Sequence, residues 1–300
     1  MKWQADSKVL IQGVHHPQGA VYVQQMQACG THLIAGVSAG HGGETLVDIP
    51  VFDLVEEALK TVGPVDLSLI LNPPYRVLDA ALEAIAAGIR QLVIVSGEVP
   101  PLDMVQLLRR AQATQTFILG SGSQGIMVPG EFAVGTFDPH CYTPGPVGII
   151  SRCDRLTDDI AGQLTQAGLG QSLVVSLGTD GLTGSDFEQW LQVLEEDEKT
   201  QAIVLLGQPN SHEETEAANY IASTIEKPVV AYLAGRYAKL DKHFGNSLTI
   251  IANQLSHDLP TGPSVAQTIT AFEQAVITVA QHPWDIAAHL ETLLTQPDSI

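Results

Sequence analysis

A chain of 300 residues with 33 acidic against 14 basic side chains carries a formal charge of −19, which repels nucleic-acid phosphates and anionic membrane surfaces and excludes both as partners. No apolar run approaches the roughly 18 residues of a membrane helix, and the first eight residues lack the apolar core of a signal peptide, so a cytoplasmic protein of two domains is expected. The three cysteines, Cys29, Cys141 and Cys153, are too widely spaced to suggest a disulfide framework or a zinc site, and no metal is expected on the chain.

Short aliphatic runs alternate with stretches of helical spacing along the whole chain. Residues 9–11, 33–37, 67–71, 92–96 and 116–119 read as buried parallel strands. Residues 51–62, 76–87 and 102–113 read as the helices among them, with Gly63 and Gly88 as stops. After Pro144-Gly-Pro146 the alternation restarts with strands at 147–150, 173–177, 202–206, 229–233 and 249–252. Helices are expected at 157–167, 186–196, 212–225, 264–280 and 284–294. Such alternation predicts an α/β fold of two doubly wound sheets, and the Pro- and Gly-rich stretch at 138–146 divides it into domains 1–140 and 141–300.

In open sheets of this kind ligands lie beyond the carboxyl ends of the strands, so the turns there are the candidate sites. The first strand ends in Gly13-Val-His-His-Pro-Gln-Gly19, where backbone amides at a helix start can take a pyrophosphate; an ordinary tight turn fits the spacing equally well. Ser38-Ala-Gly-His-Gly-Gly43 has three glycines in four positions, a mark of close approach to a ligand or another backbone. Leu71-Asn-Pro-Pro-Tyr75 and Val95-Ser-Gly-Glu-Val-Pro100 complete the rim. In the second half, Cys153, Asp154 and Arg155 lie at a helix start, with Asp154 the expected N-cap, and Gln208 stands just past a strand. The 178–186 loop is expected to cap the helix starting near Asp186. Residues 239–251 form a basic, Gly-containing loop running into an apolar strand. Arg236, Lys239 and Lys242 beside it are either a solvated turn or an anion site.

From about residue 9 to residue 294 these motifs resemble, in order, the α subunit of succinyl-CoA synthetase (succinate–CoA ligase). The resemblance implies a Rossmann-like CoA-binding domain followed by a flavodoxin-like ligase domain. It implies coenzyme A as cofactor, held across Gly13, His15, His16, Pro17, Gln18, Gly19, His41, Asn72, Tyr75, Ser96, Gly97 and Glu98. A nucleotide-binding β subunit is the implied partner; a homo-oligomer is the other assembly weighed. In that family a nucleotide phosphorylates a histidine on the α subunit, succinate takes the phosphoryl group, and CoA displaces it to form a thioester.

Several positions depart from the family pattern. Its histidine follows the loop glycine, whereas here Gly245 is followed by Asn246, whose amide cannot accept and pass on a phosphoryl group. Gln208 stands where the family has the glutamate that orients the histidine, and Cys153-Asp154-Arg155 where it has the Ser-Gly-Thr phosphate cradle. His41 replaces a lysine that meets a CoA phosphate, and His15-His16-Pro17 replace small residues. The family's Thr-Glu-Gly-Ile-Pro turn is here Ser96-Gly-Glu-Val-Pro100. These linked departures point to a CoA- or nucleotide-binding, regulatory paralogue that is not phosphorylated. A working acyl-CoA ligase subunit with an altered mechanism, and a structural subunit that binds no CoA, remain open alternatives.

Overall fold

The computed structural model describes residues 6–208, 212–235 and 263–295. The basic loop at 239–251, with Asn246 and the strand expected at 249–252, lies outside the described residues.

The first half alternates as expected. It comprises β1 (Lys8–Gln12), α1 (Gly19–Ala28), β2 (His32–Val37), β3 (Thr45–Leu46), β4 (Ile49–Phe52), α2 (Val55–Val62), β5 (Leu67–Ile70), α3 (Val77–Ala86), β6 (Gln91–Ile94), α4 (Pro101–Thr114) and β7 (Phe117–Leu119). The strands lie in the order β3-β4-β2-β1-β5-β6-β7, parallel except for the β3–β4 hairpin. Leaving out β3, the order is that of a Rossmann sheet, with its reversal between β1 and β5. Val9, Leu10 and Ile11 are buried, as a strand covered on both faces by helices requires. The expected helix at 51–62 is shorter than its pattern: Val51 and Phe52 instead pair with Gly36 and Val37 of β2.

The second sheet contains β8 (Gly125–Val128), β9 (Phe132–Gly135), β10 (Pro144–Ser151), β11 (Gln171–Ser176), β12 (Ala202–Gly207), β13 (Val229–Leu233) and β14 (Thr278–Val279). Its order is β14-β13-β12-β10-β11-β8-β9. The five parallel strands have the flavodoxin-like sequence and reverse between β10 and β12. Around them lie α5 (Leu156–Gln166), α6 (Phe187–Glu196), α7 (Glu213–Thr224), α8 (Val265–Gln274) and α9 (Asp285–Thr295). On α6, Phe187, Trp190, Leu191 and Leu194 form the buried stripe, and the Asp186 carboxylate accepts from Gln189 N at 2.9 Å, the expected cap. The expected helix at 264–280 stops at Gln274. Val276 is left-handed (φ 58°), and Thr278 and Val279 then pair with β13.

The 140/141 division does not coincide with sheet membership. The β8–β9 hairpin precedes it in sequence, yet β8 pairs antiparallel with β11, so the chain passes from one sheet to the other at 120–124. The hairpin also packs on the first half. Tyr22, Val23 and Met26 of α1 share a buried core with Phe132 and Val134 of β9, and Thr31 Oγ1 donates to Ala133 O at 2.5 Å and accepts from Ala133 N at 3.0 Å.

Candidate functional site

Four expected rim turns lie side by side, because β2, β1, β5 and β6 are neighbours and each turn follows one of them. Gly13 (φ 72°) passes so close to the β5 turn that a Cβ there would fall 2.8 Å from Asn72 N, and a Cβ on Gly19 would meet Val14 O at 1.9 Å. Only glycine allows both approaches. α1 starts immediately beyond, with no side-chain cap on its amides and no acidic residue in its first turn, leaving an anion-compatible helix start. Gln18 is turned to the protein, accepting from Tyr22 Oη at 2.5 Å, and His16 stacks toward the same tyrosine. Asn72 O accepts from Ser96 Oγ at 2.5 Å, while Asn72 Oδ1 is buried without a partner among the described residues, an acceptor available to a bound donor. Pro17 is exposed, and Tyr75 is 80% exposed.

His15 and His41, 26 residues apart in sequence, are brought ring on ring at the β1 and β2 turns, both within 3.1 Å of Glu44. The hydrogen bond from His41, then the positive character of that ring and the bond from His15, hold the Glu44 carboxyl below its ordinary range.

The second candidate site lies where β10 and β12 end. Arg152 follows β10 with its side chain only 4% exposed. Its Nη1 donates to Glu213 Oε2 at 2.8 Å, Nη2 to Asp180 O at 2.9 Å and Nε to Gly178 O at 3.3 Å. Gln208 N donates to Glu214 Oε1 at 2.9 Å, and its side-chain amide donates to the Arg152 carbonyl. Burial raises the Glu213 carboxyl even against the nearby Arg152. Burial, followed by the field of Glu214, pushes the Cys153 thiol up to about 12, so it is a neutral donor, its Sγ bonded to Gly207 O at 3.2 Å.

Asp154 does not cap α5. Arg155 holds the N-cap position with no side-chain cap bond, and Asp154 precedes it in a left-handed turn (φ 40°). Negative charge at this helix start comes from Asp158 and Asp159. Asp158 is buried, accepts from Tyr142 Oη at 2.6 Å and Gln124 Nε2 at 3.0 Å, and is raised by burial above the usual carboxyl range.

Asp180 joins the two sites. Its carboxylate accepts from Glu98 N at 3.0 Å, Val99 N at 3.4 Å and Ser121 Oγ at 2.6 Å, while its carbonyl accepts from Arg152. Gly97, lying against Asp180, completes the contact. Asp180, Arg152, Glu213 and Glu44 were not among the expected site residues. The available signal was Arg152, a single cation directly after the apolar run of β10.

Residues 4–97 match the CoA binding domain family, and residues 144–253 match the Succinyl-CoA ligase like flavodoxin domain family. The chain is 35% identical over 289 residues to succinate–CoA ligase [ADP-forming] subunit alpha 2 of Archaeoglobus fulgidus, covering 96% of this chain and 97% of that one. The chain belongs to the succinate–CoA ligase α-subunit family. Among other members, it is 34% identical to the succinate–CoA ligase [ADP-forming] subunit alpha of Aquifex aeolicus, covering 96% and 93%. It is 30% identical to the malate–CoA ligase subunit alpha of Methylorubrum extorquens, covering 96% of each.

Two solved structures show the same fold. ATP citrate lyase from Methanothrix soehngenii, in complex with citrate and coenzyme A, has a TM-score of 0.81 at 18% identity and covers all of this chain and 52% of that one. The dinucleotide-forming acetyl-coenzyme A synthetase 1 of Ca. Korarchaeum cryptofilum has a TM-score of 0.72 at 19% identity and covers 92% and 58%. The chain thus spans about half the length of these two solved chains.

Within this succinate–CoA ligase α-subunit scaffold, two of the altered motifs keep a backbone suited to glycine. Glu98 (φ 59°) and Asp154 (φ 40°) are left-handed, and both stand where the resemblance sets a glycine of the family motif. The left-handed conformation costs a residue with a side chain roughly 1–2 kcal/mol, against about 0.5–1 kcal/mol for the extra freedom glycine loses on folding. Glu98→Gly is therefore expected to stabilise the protein by about 0.5–1 kcal/mol in urea unfolding. A lower midpoint would mean that the Glu98 side chain contributes contacts outweighing this strain.

Proposed function

We propose that this protein is a CoA-binding, non-phosphorylated member of the succinate–CoA ligase α-subunit family, acting as a binding or regulatory subunit with a β-subunit-like partner. Gln208 carries the reading. It stands at the position of the orienting acid, and its amide is committed to the Arg152 carbonyl, so it supplies no charge to stabilise an imidazolium. Asn246 in the sequence removes the acceptor itself. The rim supports retained coenzyme binding through its close glycine turns and the uncapped, acid-free start of α1.

Two measurements test this. Incubation with labelled ATP and the β subunit of a relative is expected to leave no acid-labile phosphate on the chain; stable incorporation would overturn the non-phosphorylated reading. Calorimetry with CoA is expected to show saturable binding, with hydrogen-exchange protection confined to 13–19, 40–43, 72–75 and 96–98. No heat and no protection at millimolar CoA would instead favour the structural subunit.

A further inference from the structure

His15, His41 and Glu44 form the one group of three or more such side chains among the described residues whose possible ligand atoms all lie within 4.8 Å of one another. The imidazoles stack with centroids 3.8 Å apart and planes 15° from parallel. Each approaches a different oxygen of one carboxylate, His15 Nε2 at 3.1 Å from Oε2 and His41 Nδ1 at 3.1 Å from Oε1. Two imidazole nitrogens and a carboxylate oxygen are a three-ligand zinc donor set. Bonds of about 2.0–2.1 Å make a tetrahedral edge of about 3.3 Å; the ligand atoms lie within 4.8 Å of one another, so an ion would draw them together and turn the stacked rings until both planes meet it. Here His15 Nε2–H donates to the Glu44 carboxylate, and Nδ1, buried without a partner among the described residues, is the nitrogen that takes the proton when an ion replaces it at Nε2. The His41 turn is held in place, with Asp53 Oδ1 accepting from Gly40 N at 2.6 Å and Gly42 N at 3.0 Å. His41 and Glu44 are 42% and 54% exposed, which leaves a path for an ion.

We propose that His15, His41 and Glu44 bind one zinc-class divalent ion and present it, with a coordination position open, to phosphate at the rim. The phosphate role rests on the CoA-binding reading above. Three protein ligands leave the fourth tetrahedral position to a water or a phosphate oxygen. A doubly charged ion less the Glu44 carboxylate leaves one net positive charge at the rim, suited to a phosphate. Imidazole donors favour zinc, cobalt or nickel over magnesium or calcium.

The test is titration of the purified chain with Zn²⁺ alone against a chromophoric chelator, with Co²⁺ absorption as a geometric readout. One equivalent is expected to bind, with a tetrahedral cobalt spectrum and no competition from Mg²⁺. Binding should weaken at least tenfold in each of His15→Ala, His41→Ala and Glu44→Gln, with unchanged far-ultraviolet circular dichroism. Absence of stoichiometric binding, or binding indifferent to all three substitutions, overturns the site. Affinity for desulfo-CoA, which has no thiol to compete for zinc, is then compared with and without Zn²⁺. A gain of about fivefold or more, absent in His41→Ala, supports the phosphate role, and equal affinity overturns it. If desulfo-CoA binds in neither condition the CoA-binding reading fails, while the zinc titration still decides the ion site.

Discussion

Arg152→Met is expected to destabilise the protein by about 3–5 kcal/mol, the usual cost of removing one partner from a buried ion pair. With a typical total of roughly 5–15 kcal/mol, this is a large share of the stability. The substitution strips donors from Gly178 O and Asp180 O and removes the Arg152 charge from beside Glu213 and the fully buried Glu214. Its pH dependence has a definite sign. Burial already raises the folded-state pKa of Glu213, and the Arg152 charge works against that rise. Removing the charge raises it further, so the native state binds more protons than the unfolded state over a wider window, and stability is lost as pH rises through that window. The deficit of Arg152→Met relative to wild type should therefore be larger near neutral pH than near pH ~5. Glu213→Gln, which keeps an acceptor for the arginine, should cost much less. The comparison is made by urea unfolding at both pH values; a deficit below about 1 kcal/mol at neutral pH would mean that water or other groups replace Arg152.

Restoring the histidine alone, Asn246→His, is expected to leave phosphotransfer undetectable. Proton-handling and orienting groups are typically worth about 10²–10⁴-fold, and a preorganised anion stabiliser about 10²–10³-fold. A variant lacking both falls at least about 10⁴-fold below a complete site. Gln208 donates to the Arg152 carbonyl, a bond that a glutamate cannot make, so Gln208→Glu both supplies the charge and frees the side chain from that contact. At α5, Cys153 is a neutral, half-buried thiol, and Asp154 adds an acid beside the Asp158 and Asp159 already in the first turn. The combined variant, Asn246→His with Gln208→Glu and Cys153-Asp154-Arg155 changed to Ser-Gly-Thr, is expected to recover acid-labile phosphate in the presence of ATP and a β subunit. Comparable incorporation by Asn246→His alone would show that these supporting groups count for little.

The architecture was legible because buried parallel strands are dense aliphatic runs, and those at 9–11 in β1, 92–94 in β6 and 202–206 in β12 are unbroken. The β8–β9 hairpin was hidden because its strands are four residues each and bracket Pro129-Gly130, β8 beginning and β9 ending with glycine. Ile49–Phe52 escaped because its apolar residues continue in phase with the helix that follows, as those of 275–280 continue α8. At the sites, position along each strand was readable and partnership across strands was not. Glu44 meets His15 across 29 residues and Glu213 meets Arg152 across 61, separations at which a local pattern carries no information. Asp154 was misjudged because residue preference for the N-cap says nothing about backbone conformation, and its left-handed φ makes it a turn residue.

The hairpin on α1 bears on how such a protein can be inherited. A crossover at residue 140 would deliver the β8–β9 hairpin without its own β11, the strand to which β8 is hydrogen-bonded. A crossover at 120–124 would keep the sheet whole but bare Tyr22, Val23 and Met26, which Phe132 and Val134 now cover. Either exchange leaves an apolar surface or an unpaired strand edge, both of which promote aggregation. The two halves are therefore modular in their topology but not in their surfaces, and a viable recombinant has to carry both from one parent.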